Sequence, residues 1–172
     1  MIKTNRLKQS AAQIEKLNRL EKLQREQDEK FMQMAIAEAK KAEELGEIPV
    51  GAVIVKDGEV LAAGYNRKET DNCAVFHAEI NAIMKCAEKI GWRLDGCDIY
   101  VTLEPCAMCA GAIISSRIRR VVFGAAEPKS GFFGSACDIS AVSGLNHSVE
   151  VVKGVLEEEC LKLLAEFFEK KR

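Results

Sequence analysis

The residues of this sequence that can do chemistry fall in two short segments, His77-Ala78-Glu79 and Pro105-Cys106-Ala107-Met108-Cys109. Together they offer three metal ligands, His77, Cys106 and Cys109, and one carboxylate, Glu79. Three protein ligands leave a coordination position for water, which is the arrangement of a catalytic zinc and not of a structural one. Cys106 and Cys109 stand at i and i+3, so at a helix start both sulfurs lie on one face and can share an ion. Pro105 suits the first turn of that helix, where a missing N–H costs nothing. The helix dipole at that end favours thiolate over thiol. Zinc held this way brings the pKa of bound water from about 16 to about 7, so that zinc-bound hydroxide is the nucleophile at neutral pH. Glu79, two residues past His77, is displaced from the ligand position and placed to shuttle a proton from that water to the group that leaves.

A lone C-x-x-C also fits a redox pair or half of a zinc ribbon. The chain has neither a thioredoxin-like setting nor a second C-x-x-C, whereas H-x-E followed by P-C-x-x-C is the signature of the zinc nucleobase deaminases, in which the glutamate serves a ring nitrogen and the leaving amine. His147 is the other histidine; as a fourth ligand it would close the site, so it is read as a loop or RNA-edge residue. Glu104 competes with Glu79 as the base. The motif spacing favours Glu79, and the strand-end position of Glu104 reads as holding a loop.

At 172 residues the chain is long enough for one well-buried domain. It has no apolar run approaching the roughly 18 residues of a membrane span and no signal-peptide core, which points to the cytoplasm. Its seven cysteines are an odd number, and a disulfide framework is not expected in a reducing compartment. Cys73, Cys86, Cys97, Cys137 and Cys160 read as small buried or half-buried hydrophobes. A net charge of −1 is not the basic signature of a nucleic-acid binder. Any RNA affinity then rests on local clusters: Arg117, Arg119 and Arg120, Lys129, and Lys170-Lys171-Arg172.

Residues 1–26 form a charged prefix, in which Lys3, Arg6, Lys8, Lys16, Arg19, Lys22 and Arg25 face Glu15, Glu21 and Glu26, about +4 in all. It is read as a helical extension, with 27–172 as a single domain. Ile14, Leu17, Leu20 and Leu23 are spaced by three, which drifts around a helix instead of making a coiled-coil seam. Phe31, Met34, Ala35, Ala39, Ala42 and Leu45 repeat at helical spacing until Gly46. Residues 49–55 read as a buried strand, 56–59 as a turn and 60–64 as its hairpin partner. A polar loop follows over 65–75. The spacing predicts a helix over 76–90 with His77 at its start. A strand over 98–103 runs into the cysteine helix. Strands over 120–124 and 149–152 and a helix over 156–168 complete an α/β order. Two helices thus begin at candidate ligands, where open α/β sheets bind their ligands.

The sequence resembles the bacterial tRNA-specific adenosine deaminases, within the zinc-dependent cytidine/deoxycytidylate deaminase superfamily, from about Phe31 to Arg172. The resemblance is carried by Glu47-Ile48-Pro49-Val50-Gly51-Ala52, Gly64-Tyr65-Asn66-Arg67, His77-Ala78-Glu79-Ile80, Tyr100-Val101-Thr102-Leu103-Glu104-Pro105-Cys106, Val122-Phe123-Gly124-Ala125, Lys129-Ser130-Gly131, Gly134-Ser135, Asn146-His147 and Leu163-Leu164-Ala165-Glu166-Phe167-Phe168. It implies a three-layer, cytidine-deaminase-like α/β fold with a five-stranded mixed sheet and helices on both faces. It also implies one zinc per subunit, a homodimer, a tRNA anticodon stem-loop as partner, and hydrolysis of adenosine to inosine at the wobble position. Asn66 would touch base or ribose, Lys129 and Asn146 would line the anticodon-loop groove, and Glu127 and Phe168 would join them in binding substrate. Cys73-Ala74-Val75-Phe76 stands where the family commonly has Asp-Pro-Thr-Ala, and Glu127 where it has aspartate. These departures make a free nucleobase or nucleoside the alternative substrate; the intact Glu79 argues against a non-catalytic zinc RNA-binding protein.

Overall fold

Alternation along β1 (Gly51–Lys56) sends Ala52 and Ile54 to one face of the sheet and Val53 and Val55 to the other, and all four are buried. A strand covered on both faces needs apolar residues at successive positions, which is why this segment reads as a continuous run. The computed structural model describes residues 2–171, with side chains from 13 to 171. Strand β1 pairs antiparallel with β2 (Glu59–Tyr65) and with β3 (Asp98–Leu103), and β4 (Arg120–Ala125) and β5 (Glu150–Val152) add in parallel, giving the order β2-β1-β3-β4-β5. The β1–β2 turn places Asp57 and Gly58 at φ 51° and 83°. Such a turn matches the twist of a hairpin, and aspartate and glycine tolerate its left-handed backbone.

Four helices cover the sheet: α1 (Ile2–Glu44), α2 (Ala78–Ile90), α3 (Ala107–Ser115) and α4 (Glu157–Lys170). Helices α2 and α3 bury Ala78, Ala82, Cys86, Ala110, Ile113 and Ile114 against Ile54, Ile99, Val101 and Phe123. Helices α1 and α4 bury Phe31, Met32, Ala35, Ile36 and Cys160 against Val53, Val55, Tyr100 and Val122 on the other face. The result is the expected three-layer, five-stranded mixed α/β architecture. No helix among the described residues is long and apolar enough to cross a membrane.

The first helix differs from its reading in two ways. It is continuous from Ile2 to Glu44, because no glycine or proline separates the prefix from the Phe31 stripe. Its buried stripe is Phe31, Met32, Ala35, Ile36, Ala39 and Ala42; Met34 and Leu45 are exposed. Pro105 lies just before the cysteine helix, which starts at Ala107 with Cys106 as its N-cap. Cys137 is exposed, not buried, while Cys86, Cys97 and Cys160 are buried.

Candidate metal and catalytic site

His77 and Cys106 occupy equivalent positions. Each is the N-cap of its helix, α2 or α3, in extended backbone with ψ 159° and 175°, and neither side chain caps its helix. Helix N-caps favour Ser, Thr, Asp or Asn, whose oxygens bond the free N–H groups. Two helices that forgo this leave an imidazole and a thiol free at their N-termini, a local rule broken at one place. Both helices lie on the same face of the sheet, and the positive ends of their dipoles favour thiolate there.

The His77 Nδ1 lies 3.7 Å from the Cys106 sulfur and 3.6 Å from the Cys109 sulfur, and all three ligand atoms lie within 4.8 Å of one another. Zinc–sulfur bonds of about 2.3 Å and zinc–nitrogen bonds of about 2.0–2.1 Å at a tetrahedral angle put nitrogen and sulfur about 3.6 Å apart. The triplet therefore fits a tetrahedral zinc with one position to spare. Glu79 is not part of it. Neither are Cys73 and His147, whose Nε2–H donates to the Ile118 carbonyl at 2.7 Å.

Without an ion the triplet shares protons unevenly. The Cys106 thiol is drawn down to about 3, first by the hydrogen bond from Cys109, against the cost of burial, and with help from His77. Its partner Cys109 is pushed up by donating to Cys106 and by its own burial. The His77 imidazole is raised by its bond to Cys106, against burial, and by the charge of Glu79. The Glu79 carboxyl, 4% exposed, is raised by burial above the ordinary range. A buried carboxyl displaced upward toward neutrality is suited to exchanging protons.

His77, Glu79 and Cys106 open onto a cavity of about 230 Å³ that is also lined by Ile48, Val50, Asn66, Lys68, Leu103, Glu104, Glu127 and Ser130. A wider groove of about 760 Å³ between α1 and residues 152–159 gathers carboxylates but no histidine or cysteine, so the smaller cavity is where the chemistry converges. Of the expected substrate-binding residues, the cavity brings together Asn66 and Glu127. Lys129, Asn146 and Phe168 do not line it; the Lys129 amide donates to Glu127 Oε1, the Asn146 carbonyl accepts from Arg117, and Phe168 packs edge-on against buried Phe167.

Two further residues act at the cavity. The Glu47 carboxylate, 1% exposed, accepts from Thr70 N–H at 2.6 Å and faces the Asn66 amide nitrogen at 3.4 Å, while Ile48 O lies 3.3 Å from the same nitrogen. This turns the Asn66 amide, with its oxygen toward the Lys68 N–H. The sequence signal for Glu47 is its place in the family-like segment Glu47-Ile48-Pro49-Val50-Gly51-Ala52, just ahead of β1. Lys68 adds a cation to the lining. Of the arginine cluster after α3, Arg120 is withdrawn from any RNA contact, being buried and paired with Asp28, whereas Arg119 bonds Asp98 with its side chain 62% exposed.

Residues 25–125 match the family described as the cytidine and deoxycytidylate deaminase zinc-binding region. A curated relative from Bacillus subtilis named tRNA-specific adenosine deaminase is 50% identical over 147 residues, covering 85% of this chain and 91% of that protein. One of the same name from Haemophilus influenzae is 48% identical over 153 residues, covering 88% of each. This chain belongs to the tRNA-specific adenosine deaminase family. A chain solved in a study of A-to-I editing by tRNA:A34 deaminases at the wobble position of transfer RNA aligns with a TM-score of 0.75 at 43% identity, covering 78% of this chain and 98% of that one. A guanine deaminase from Nitrosomonas europaea aligns with a TM-score of 0.70 at 26% identity, covering 81% of this chain and 83% of that one. The family is a zinc-binding one, and among the described residues of this member one histidine and two cysteines, His77, Cys106 and Cys109, lie close enough together to hold an ion.

Proposed function

We propose that this protein is a zinc-dependent hydrolase that converts adenosine to inosine at the wobble position of a tRNA anticodon, with water as co-substrate and ammonia as the second product. The observation that carries the reading is the tetrahedral spacing of His77, Cys106 and Cys109 beside a buried carboxyl that is not one of them. Those three residues hold one zinc ion, which when bound supplies an activated water. Glu79 takes one proton from the attacking water and delivers it to the ring nitrogen, then carries the second, from the new hydroxyl on the ring carbon, to the amine as it leaves as ammonia. Asn66, fixed by Glu47 and Ile48, orients the base or its ribose, and Glu127 lies at the cavity wall. Lys129, whose amide bonds the cavity residue Glu127, meets the anticodon loop beside the cavity. Asn146, bonded to Arg117 beyond the C-terminal end of α3, and Phe168, packed on Phe167 of α4, lie away from it.

Residues 27–172 form the deaminase domain, and 1–26 are an extension to it, helical within α1 from Ile2. We infer a cytoplasmic homodimer, as the sequence resemblance implies; light scattering checks the dimer as twice the 19.0 kDa chain mass. The likeness to a guanine deaminase favours a free nucleobase as the second reading. One assay separates the two. Zinc-loaded protein is incubated with an anticodon stem-loop bearing adenosine at the wobble position and, in parallel, with free adenosine, cytosine and guanine. Inosine formed in the RNA is expected; ammonia released from free bases alone sinks the tRNA reading.

A further inference from the structure

Among the described residues Glu104 is, with Glu79, one of two buried carboxylates lining the cavity, and the chemistry above does not use it. It stands between the end of β3 and Pro105-Cys106, and only 3% of it is exposed. Its Oε1 accepts from the N–H groups of Phe133 at 2.9 Å and Ser135 at 3.1 Å. Its Oε2 accepts from the Glu127 N–H at 3.1 Å and from the Ser135 hydroxyl. All four donors belong to the segment 127–135. Hydrogen bonds to an ionised acceptor are roughly twice as strong as neutral ones, so this one carboxylate dominates the tethering of that segment.

The segment lies along the metal turn. Phe132 N–H donates to Pro105 O at 2.9 Å, and Cys106 and Gly131 form an isolated bridge. At Gly131 a Cβ would collide with the Glu104 carboxylate and stand 2.7 Å from Glu127 O, so only glycine lets the segment close onto that group. The same segment presents Glu127 and Ser130 to the cavity. The four donors also take up the lone pairs that a general base would need, which removes Glu104 as a rival to Glu79.

We propose that Glu104 is a positioning residue that fixes the substrate-facing rim, residues 127–135, at a set distance from the turn carrying Cys106. This rests on the tRNA deaminase reading, because the rim matters to the reaction only if it meets RNA around the target base. Glutamine has the same shape but offers one accepting oxygen and turns an NH2 toward the donors. Glu104→Gln therefore loosens the rim while leaving the metal ligands in place.

The test uses the full-length, zinc-loaded protein, with zinc content, kcat and KM measured on the anticodon stem-loop well below the melting temperature of each variant. Glu104→Gln is expected to keep its zinc and to raise KM about tenfold, with kcat changing much less. Ser135→Ala, which removes one donor and keeps the fold if Glu104→Gln does not, is expected to raise KM in the same direction by about threefold. In the double variant the second change adds little, since both break one cluster. Unchanged KM in Glu104→Gln, or loss of zinc, overturns the proposal. A wild-type protein inactive on the stem-loop overturns the functional reading instead. In that case hydrogen exchange at the Phe133 and Ser135 amides judges the clamp, and protection unchanged in Glu104→Gln overturns it.

Discussion

Asp28 on α1 and Arg120 at the start of β4 form a two-pronged buried ion pair, with nitrogen–oxygen distances of 2.8 and 2.5 Å, and the Tyr100 hydroxyl donates to the same carboxylate at 2.8 Å. The pair joins the long helix to the two central parallel strands at the sheet end where β3 and β4 begin. The cavity lies at the other end, where β3 leads through Glu104 to Cys106.

Removing one partner of a buried pair costs about 3–5 kcal/mol, and the low end applies because Arg120 keeps Glu150 at 3.3 Å and Asp98 at 3.8 Å. Asp28→Asn is therefore expected to lower unfolding free energy by about 3 kcal/mol, read from urea denaturation at neutral pH. Burial works to raise the Asp28 pKa, but Arg120 and Tyr100 outweigh it and hold it below its ordinary 3.8. A depressed carboxyl contributes stability above its unfolded pKa and loses it as pH falls through the folded value. Asp98, raised by burial despite Arg119, titrates the opposite way. Subtracting the pH–stability curve of Asp28→Asn from that of the wild type isolates the pH-dependent Asp28 contribution, which should begin to fall near the ordinary value of 3.8 and be lost once the pH passes below the lowered folded value.

The zinc triplet makes its own prediction. Cys106→Ser replaces the sulfur that His77 Nδ1 approaches at 3.7 Å with a harder, more weakly acidic ligand. Zinc content should fall below about a tenth of wild type and deamination below about a hundredth. Chelation of the wild-type protein should lower its melting temperature, because ligation stabilises only the folded state. Elemental analysis and thermal melts with and without added zinc measure both effects.

Glu79→Gln separates ligation from proton transfer. The carboxyl lies outside the triplet, so the variant should bind zinc as the wild type does. Without the shuttle, kcat should fall by about 10²–10⁴-fold. A variant that retains zinc and turns over at the wild-type rate would refute the assignment.

The triplet was legible in the sequence because its information is local: three-residue spacing on a helix and a histidine two positions from a glutamate. The same holds for the hairpin at Asp57-Gly58 and for β1, β3 and β4, whose apolar runs follow from burial on both faces. What stayed hidden depends on pairs far apart in the chain. Arg120 read as a surface cation, yet the residue that buries it is Asp28 on α1. Glu47 carried no periodicity at all; its role appears only when Asn66 and Thr70 fold over it. The prefix and the first core helix read as separate because their side chains change character, but helical backbone runs through that change unbroken.

Gly64 on β2 links the packing of the sheet to the position of His77. A Cβ there would lie 2.5 Å from Ala78 O and 2.6 Å from Ala82 N, both in α2 backbone. Backbone cannot yield as a side-chain end does, so Gly64→Ala must push the N-terminal half of α2 off the sheet. Overpacking of this kind costs about 1–3 kcal/mol. His77 occupies the N-cap position of that helix and moves with it, while Cys106 and Cys109 stay with α3. The variant should therefore lose zinc affinity as well as stability, measured by competition with a chromophoric chelator. Glycine-to-alanine changes at Gly111, where an added Cβ meets nothing within 4 Å, should leave zinc affinity unchanged and serve as the control. Equal affinity in Gly64→Ala and wild type would show that α2 and its histidine are positioned by something other than this close approach.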